Sequence, residues 1–307
     1  MTLKDNFIGI LVSGCIGDIL GSSNENLSFE EIRKKQIIID FVQNRYTDDT
    51  ELTIVLAEYL SKNNQILVGE IHSMYSKIVK SSKRGYSSRT KGILSNWSEC
   101  TIGGNADTNG SVMRIAPLAL FPINKDEDIY KAVKYCVYCT HGESKDAVDT
   151  SFLHVKLLKG ILFKKLITAE SIYTYALDVT KRTQNASLYS LLILIHPNNR
   201  WQLFKKGLPT IDDNVTKNIF GFNMFQIKAL HAYICALICF FYNFSHPTEA
   251  LIMAANIGGD TDTIAKLVGD LIGAVYGTTW IPIPWSQPEG LGQLTKLGTI
   301  LYERYGK

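Results

Sequence analysis

Several features are missing from this chain, and each absence removes a class of protein. There is no marked excess of one charge: 32 lysines and arginines stand against 29 aspartates and glutamates, a balance of +3. With the lysines dispersed, that leaves no concentrated basic surface for nucleic acid. The longest uncharged apolar run, Ala229 to Phe244, falls short of the roughly 20 residues a membrane span requires and carries His231 and Asn243, so it reads as a buried core helix. No secretory leader is expected either. Met1 to Asn6 is polar, with Lys4 and Asp5, and glycines break the apolar segment that follows, which predicts a cytoplasmic protein.

A disulfide framework is absent as well. Six cysteines (Cys15, Cys100, Cys136, Cys139, Cys235 and Cys239) lie mostly within apolar helical patterns, as reduced thiols do. Cys136-Val137-Tyr138-Cys139 has the spacing of a redox or zinc pair, but no second ligand pair accompanies it, so core packing is the reading. No Gly-Lys-Ser/Thr occurs in the glycine-rich loop, which leaves an ATPase phosphate loop unsupported. Long period-two alternation and repeats of fixed length are also missing, so strands should be few.

What is present points to helices. The chain has 307 residues, 46% of them hydrophobic and 20% charged, enough for one large core, and a single domain over residues 1–307 is expected. Apolar residues recur at helical spacing from Phe7 to Leu20, where Gly9, Gly14, Gly17 and Gly21 leave one side almost bare; another element must pack very close there. Further helical patterns span Leu52–Leu60, Ile71–Val79, Ile129–Val137, Ala147–Leu162, Ile172–Ala176, Leu188–Ile195, Ile227–Phe240, Thr248–Ala255, Ile264–Val275 and Leu291–Tyr305. The class is all-α. The polar stretch from Lys205 to Lys217 reads as a surface excursion.

Two stretches carry the chemistry. Gly258-Gly259-Asp260-Thr261-Asp262-Thr263 and Tyr46-Thr47-Asp48-Asp49-Thr50 each load a helix start with carboxylates and hydroxyls. Capping explains one such start, since Asp and Thr accept the first free amides and complement the helix dipole. Two in one chain suggest a shared centre, where clustered like charges need a cation to offset their repulsion. Asp18, a lone charge near the end of a buried helix, needs a partner of its own. Glu25 lies in a polar connection, Ser22-Ser23-Asn24-Glu25-Asn26, where taken alone it is a loop acid. The loop Thr101 to Ser111 holds Gly103, Gly104 and Gly110; glycines allow close backbone approach, and free amides leading into a helix receive anions, although a plain connector has the same composition.

Four stretches together resemble the ADP-ribosylglycohydrolase family, in the family's order: Gly14-Cys15-Ile16-Gly17-Asp18-Ile19-Leu20-Gly21, Tyr46-Thr47-Asp48-Asp49-Thr50, Asn109-Gly110-Ser111-Val112-Met113-Arg114-Ile115-Ala116-Pro117, and Gly258-Gly259-Asp260-Thr261-Asp262-Thr263-Ile264-Ala265. The resemblance implies a compact all-helical fold with a two-metal cleft holding two Mg2+ (or Mn2+) ions. Thr47, Asp48, Asp49, Asp260, Asp262 and Thr263 fall on the metal-binding positions, and hard cations favour such oxygen ligands. Glu25 matches a mobile glutamate. Either it or one of Asp48 and Asp49 would take the proton of the attacking water.

Gly103, Gly104, Asn109, Gly110 and Ser111 would then receive the diphosphate through backbone amides, with His141 along the cleft and Arg114 as a brace. The activity implied is hydrolysis of an N- or O-glycosidic bond to an ADP-ribosyl group. The expected partner is an ADP-ribosylated protein or an ADP-ribose-containing small molecule, with no nucleic acid or membrane, and a monomer is expected. A non-catalytic ADP-ribose-binding or structural relative is the alternative.

Overall fold

The bare glycine face of the first helix decides the architecture. The computed structural model of the protein describes residues 2–35, 44–95, 106–195 and 227–306. Among these, thirteen α-helices follow in order: α1 (Leu3–Ser22), α2 (Phe29–Lys35), α3 (Asp48–Lys62), α4 (Val68–Ser81), α5 (Ser88–Ser95), α6 (Asp126–His141), α7 (Lys145–Lys164), α8 (Ala169–Thr183), α9 (Ala186–Leu194), α10 (Ala229–Tyr242), α11 (Pro247–Ala255), α12 (Thr261–Tyr276) and α13 (Leu291–Tyr305). No strand forms among the described residues; the Thr108–Lys228 pairing is an isolated bridge.

Helix α1 begins at a capping box in which Thr2 and Asp5 exchange side-chain and backbone bonds. It then lies antiparallel to α12 with backbones nearly touching. A Cβ added at Gly17 would stand 2.1 Å from the Ala265 carbonyl oxygen, and one at Gly21 would stand 2.2 Å from that of Thr261. The seam is mutual, because a Cβ on Gly269 would meet Ser13 O at 2.1 Å and one on Gly273 would meet Gly9 O at 2.1 Å. The close partner expected of the glycine face is therefore α12. Its consequence is positional: the C-terminal end of α1 and the N-terminal end of α12 are held together at one end of the pair.

One apolar cluster runs through the described residues, with α1, α7, α10 and α12 contributing side chains that are almost wholly buried. The polar helices α2 and α5 were not expected from sequence, because neither carries a long apolar stripe. Five of the six cysteines are buried and in no disulfide, and Cys100 lies outside the described residues. Burial pushes the Cys139 thiol up to about 12 and raises that of Cys136, which suits packing and not redox chemistry. No helix among the described residues is long and apolar enough to cross a membrane. The segment from Lys205 to Lys217 lies outside the described residues.

Behind the seam is a buried ion network. Lys266 Nζ donates to Asp270 at 3.0 Å, and His154 Nε2 meets the same carboxylate at 3.3 Å. All three are essentially inaccessible to solvent, and removing any one would leave its partners buried and unpaired.

Candidate active site

The first Thr/Asp cluster is held from several directions. Arg84 donates to the Tyr46 carbonyl at 2.6 Å and to Glu289 at 2.9 Å, and Glu289 accepts the Tyr46 amide at 3.0 Å. This fixes the chain entering α3. The Thr47 hydroxyl accepts the Asp49 amide at 3.2 Å as an N-cap. Asp18 supplies the rest: its carboxylate accepts the Thr47 amide at 3.0 Å and the Thr50 amide at 3.0 Å. The partner that the lone charge of α1 required is thus the positive end of α3. With these amides satisfied, Asp48 and Asp49 need not cap the helix.

The second cluster follows the Gly258–Gly259 turn, where both residues have positive φ (83° and 81°) and a Cβ at Gly258 would stand 2.7 Å from the Phe29 amide. Gly259 exchanges backbone bonds with the Glu25 connection: Asn26 N donates to Gly259 O at 2.9 Å, and Gly259 N donates to Leu27 O at 2.9 Å. Buried Asn24 anchors the same turn by donating to the Ala255 carbonyl at 2.8 Å. Asp260 occupies the N-cap position of α12 yet makes no side-chain cap bond; its carboxylate instead accepts from Asn109 Nδ2 at 2.7 Å. Thr263 Oγ1 donates to Asp49 at 3.0 Å and joins the two clusters directly.

These elements surround a cavity of about 340 Å3. Glu25, Asp48, Asp49, Asp260, Asp262 and Thr263 line one side, with Asn109, Gly110 and His141 also on its wall. Thr47 stands one position back, with its hydroxyl engaged in capping. Ser111 is fully buried and turned onto the Thr108 carbonyl. Gly103 and Gly104 lie outside the described residues. Several liners, among them Thr108, Arg89 and Ser87, carried no role in the sequence reading. Thr108 could have been noticed as a hydroxyl beside the Asn-Gly turn; Arg89, in a polar segment, gave no signal.

The acids raise one another. Burial, then neighbouring Asp18, push the Asp48 carboxyl up to about 6. Asp49 rises well above the carboxylate range through burial, then Asp18 and Asp48, while Asp262 does so through burial, then Asp260 and Asp49. Glu25, at the rim, is raised by burial and by Asp260. Such a site favours a bound cation, which would offset the repulsion. Among the described residues no three His, Cys, Asp or Glu side chains form a ready-made ion-binding group. The acids are instead interspersed with hydroxyls, oxygen donors of the kind that hard divalent cations take.

The opposite wall is neutral or basic. Arg114, 1% exposed, donates to the Gly110 carbonyl at 2.6 Å and to the Thr140 hydroxyl, so it braces the loop as expected. His141 lies between Thr140 Oγ1, 2.7 Å from Nδ1, and Thr108 Oγ1, 2.8 Å from Nε2. Burial, then Arg114 and Arg89, drive its pKa well below the usual value, so the ring is neutral. The Asn109 and Ser111 amides, expected to face a ligand, are bonded to the Ile227 and Thr108 carbonyls. Those two amides are turned away from the cavity, and the Asn109, Thr108 and His141 side chains line it beside Gly110.

A sequence profile described as ADP-ribosylglycohydrolase matches residues 1–306. The chain is similar to the ADP-ribosylarginine hydrolase Tri1 of Pseudomonas putida (strain GB-1), 24% identical over 326 residues covering 98% of this chain and 78% of that protein. It is also similar to the ADP-ribosylhydrolase ARH3 of Danio rerio, at 23% identity over 348 residues covering 99% and 91%. A solved chain described as an ADP-ribosylglycohydrolase-related protein complex aligns with a TM-score of 0.73 at 22% identity, covering 98% of each chain. At that identity the shared property is the fold.

Proposed function

Since the chain belongs to the ADP-ribosylglycohydrolase family, we propose that it hydrolyses the N- or O-glycosidic bond of an ADP-ribosyl group carried by a protein side chain or a small molecule. Relatives named as ADP-ribosylarginine hydrolase and ADP-ribosylhydrolase support the reaction class. The observation that carries the reading is the convergence of Asp48, Asp49, Asp260, Asp262 and Glu25 on one cavity from three separate chain segments. Capping does not account for that convergence.

The donor set fits two Mg2+ or Mn2+ ions, which Asp48, Asp49, Asp260 and Asp262 would hold with the Thr263 hydroxyl, and with Thr47 only through the oxygen that also caps α3. Such ions would supply Lewis acidity that orients ribose hydroxyls and lowers the pKa of a water. The remaining work falls to the chain itself. Asn109 holds the Asp260 carboxylate in place through its amide. Asp48, partly open to the cavity, and Glu25 at the rim are positioned to accept the proton of an attacking water as the glycosidic bond opens. The neutral wall of Asn109, Gly110 and His141 receives the rest of the ADP-ribosyl group.

The test is a panel of ADP-ribosylated proteins and ADP-ribose-bearing small molecules, assayed with magnesium, with manganese and in excess chelator. Release of ADP-ribose that requires the ion is the expected outcome. Undiminished hydrolysis in chelator would refute the metal centre, and ADP-ribose binding without release on any substrate would make the chain a non-catalytic reader.

A further inference from the structure

Arg114 is a buried guanidinium with no carboxylate partner among the described residues: its terminal nitrogens donate to the Gly110 carbonyl, the Cys136 carbonyl and the Thr140 hydroxyl, and its Nε is buried without a hydrogen-bond partner. Its ring contact is the face of Tyr75, 4.9 Å away. A buried cation satisfied only by neutral oxygens is costly unless an anion approaches. It also sets the direction of the hydrogen bonds beyond it. Arginine only donates, so Thr140 Oγ1 accepts from it, and the one hydrogen of that hydroxyl is left for His141 Nδ1, 2.7 Å away. A neutral imidazole that accepts at Nδ1 carries its proton on Nε2, which then donates to Thr108 Oγ1 at 2.8 Å.

Thr108, with its oxygen already accepting, keeps its own hydrogen free. The residue lines the cavity, as does Arg89. Every member of this chain therefore donates in one sense, from the buried guanidinium outward.

We propose that Thr108 is a substrate-recognition hydroxyl, aimed into the cavity by Arg114, Thr140 and His141, that donates to a phosphoryl oxygen of the bound ADP-ribosyl group. The proposal rests on the reading of this cavity as an ADP-ribosyl site. It assigns recognition of the anion to a directed side chain, where the Asn109 and Ser111 amides are already engaged. It also makes Thr140 and His141 positioning residues, which act through Thr108.

The test is calorimetric titration of the full chain with ADP-ribose and with adenosine, which lacks phosphate, at fixed magnesium. Thr108→Val should weaken ADP-ribose binding about tenfold while adenosine binding is unchanged, and Thr108→Ser should restore it. Thr140→Val should lose a similar factor, and the double variant should lose no more than either single one, because both break the same chain. Imidazole 15N spectra add a readout independent of affinity: the Nε2–H tautomer is expected in the wild type and is lost in Thr140→Val. Wild-type ADP-ribose affinity in Thr108→Val overturns the proposal, as do an equal loss for adenosine, additive losses in the double variant, or an Nδ1–H tautomer in the wild type. If the wild type binds ADP-ribose but hydrolyses no linkage, the catalytic reading fails and this one stands. If it binds no ADP-ribose, both fall.

Discussion

The two Thr/Asp clusters have nearly the same composition and opposite local roles. At α3, Thr47 caps the helix with its own hydroxyl, and Asp18 reaches across from α1 to take two more amides. At α12, the N-cap residue Asp260 leaves the helix amides alone and turns to Asn109. A helix start rich in Asp and Thr is therefore not by itself a capping device. What distinguishes the two is whether another group has already satisfied the amides, and whether a partner outside the helix draws the carboxylate away.

The largest expected effects lie where both clusters face the cavity. Asp49→Asn and Asp262→Asn each remove a negative charge from the proposed ion site and should lower turnover by orders of magnitude while circular dichroism stays native. Wild-type rates in both would end the proposal of a shared centre. Glu25→Gln should follow with at least a tenfold loss of rate, roughly 1.4 kcal/mol of transition-state stabilisation, at near-native melting temperature and with ADP-ribose binding retained. Unchanged rates would return Glu25 to an ordinary loop acid.

Stability measurements sharpen the contrast between the helix starts. Asp18→Ala leaves the Thr47 and Thr50 amides without their acceptor and should cost about 2 kcal/mol or more in urea denaturation. Thr47→Ala should cost about 1 kcal/mol as a lost cap. Asp260→Asn removes no cap and relieves repulsion, so in the absence of divalent ions its melting temperature should stay level or rise. A loss at Asp260 equal to that at Thr47 would make the two clusters equivalent after all.

The smallest effect is a pH dependence. Burial and Asp18 raise the Asp48 carboxyl to about 6 in the fold from an ordinary 3.8, so between those values the folded chain holds more protons than the unfolded one. Its contribution to stability is therefore most favourable below about 4 and is lost as pH rises through 6. A bound cation reverses this by competing with the proton. The rise in melting temperature on adding magnesium should accordingly be larger at pH 8 than at pH 5. An equal rise at both would separate ion binding from these carboxylates.

How much of this was legible in the sequence depends on distance along the chain. Helical spacing marked most of the long helices, with ends that moved by a few residues because caps such as Thr2 with Asp5 act locally. The short helices α2 and α5 escaped notice because they bury little. The bare face of Gly9, Gly14, Gly17 and Gly21 announced a close partner, since a missing Cβ on one side of a helix is a local fact. Both acid clusters were likewise visible as strings of ligand-type residues.

Which element met the glycine face was settled only by the tertiary structure, and so was the role of each acid. Asp18 caps a helix that begins far along the chain, and Asp260 is drawn off its own helix by Asn109 from a distant loop. The chain from Arg114 to Thr108 joins an irregular loop to the end of α6. The physical reason is one of range. Periodicity and composition report what a residue can do with its near neighbours, whereas hydrogen-bond direction, burial and mutual repulsion depend on separations of a few ångströms that only packing creates.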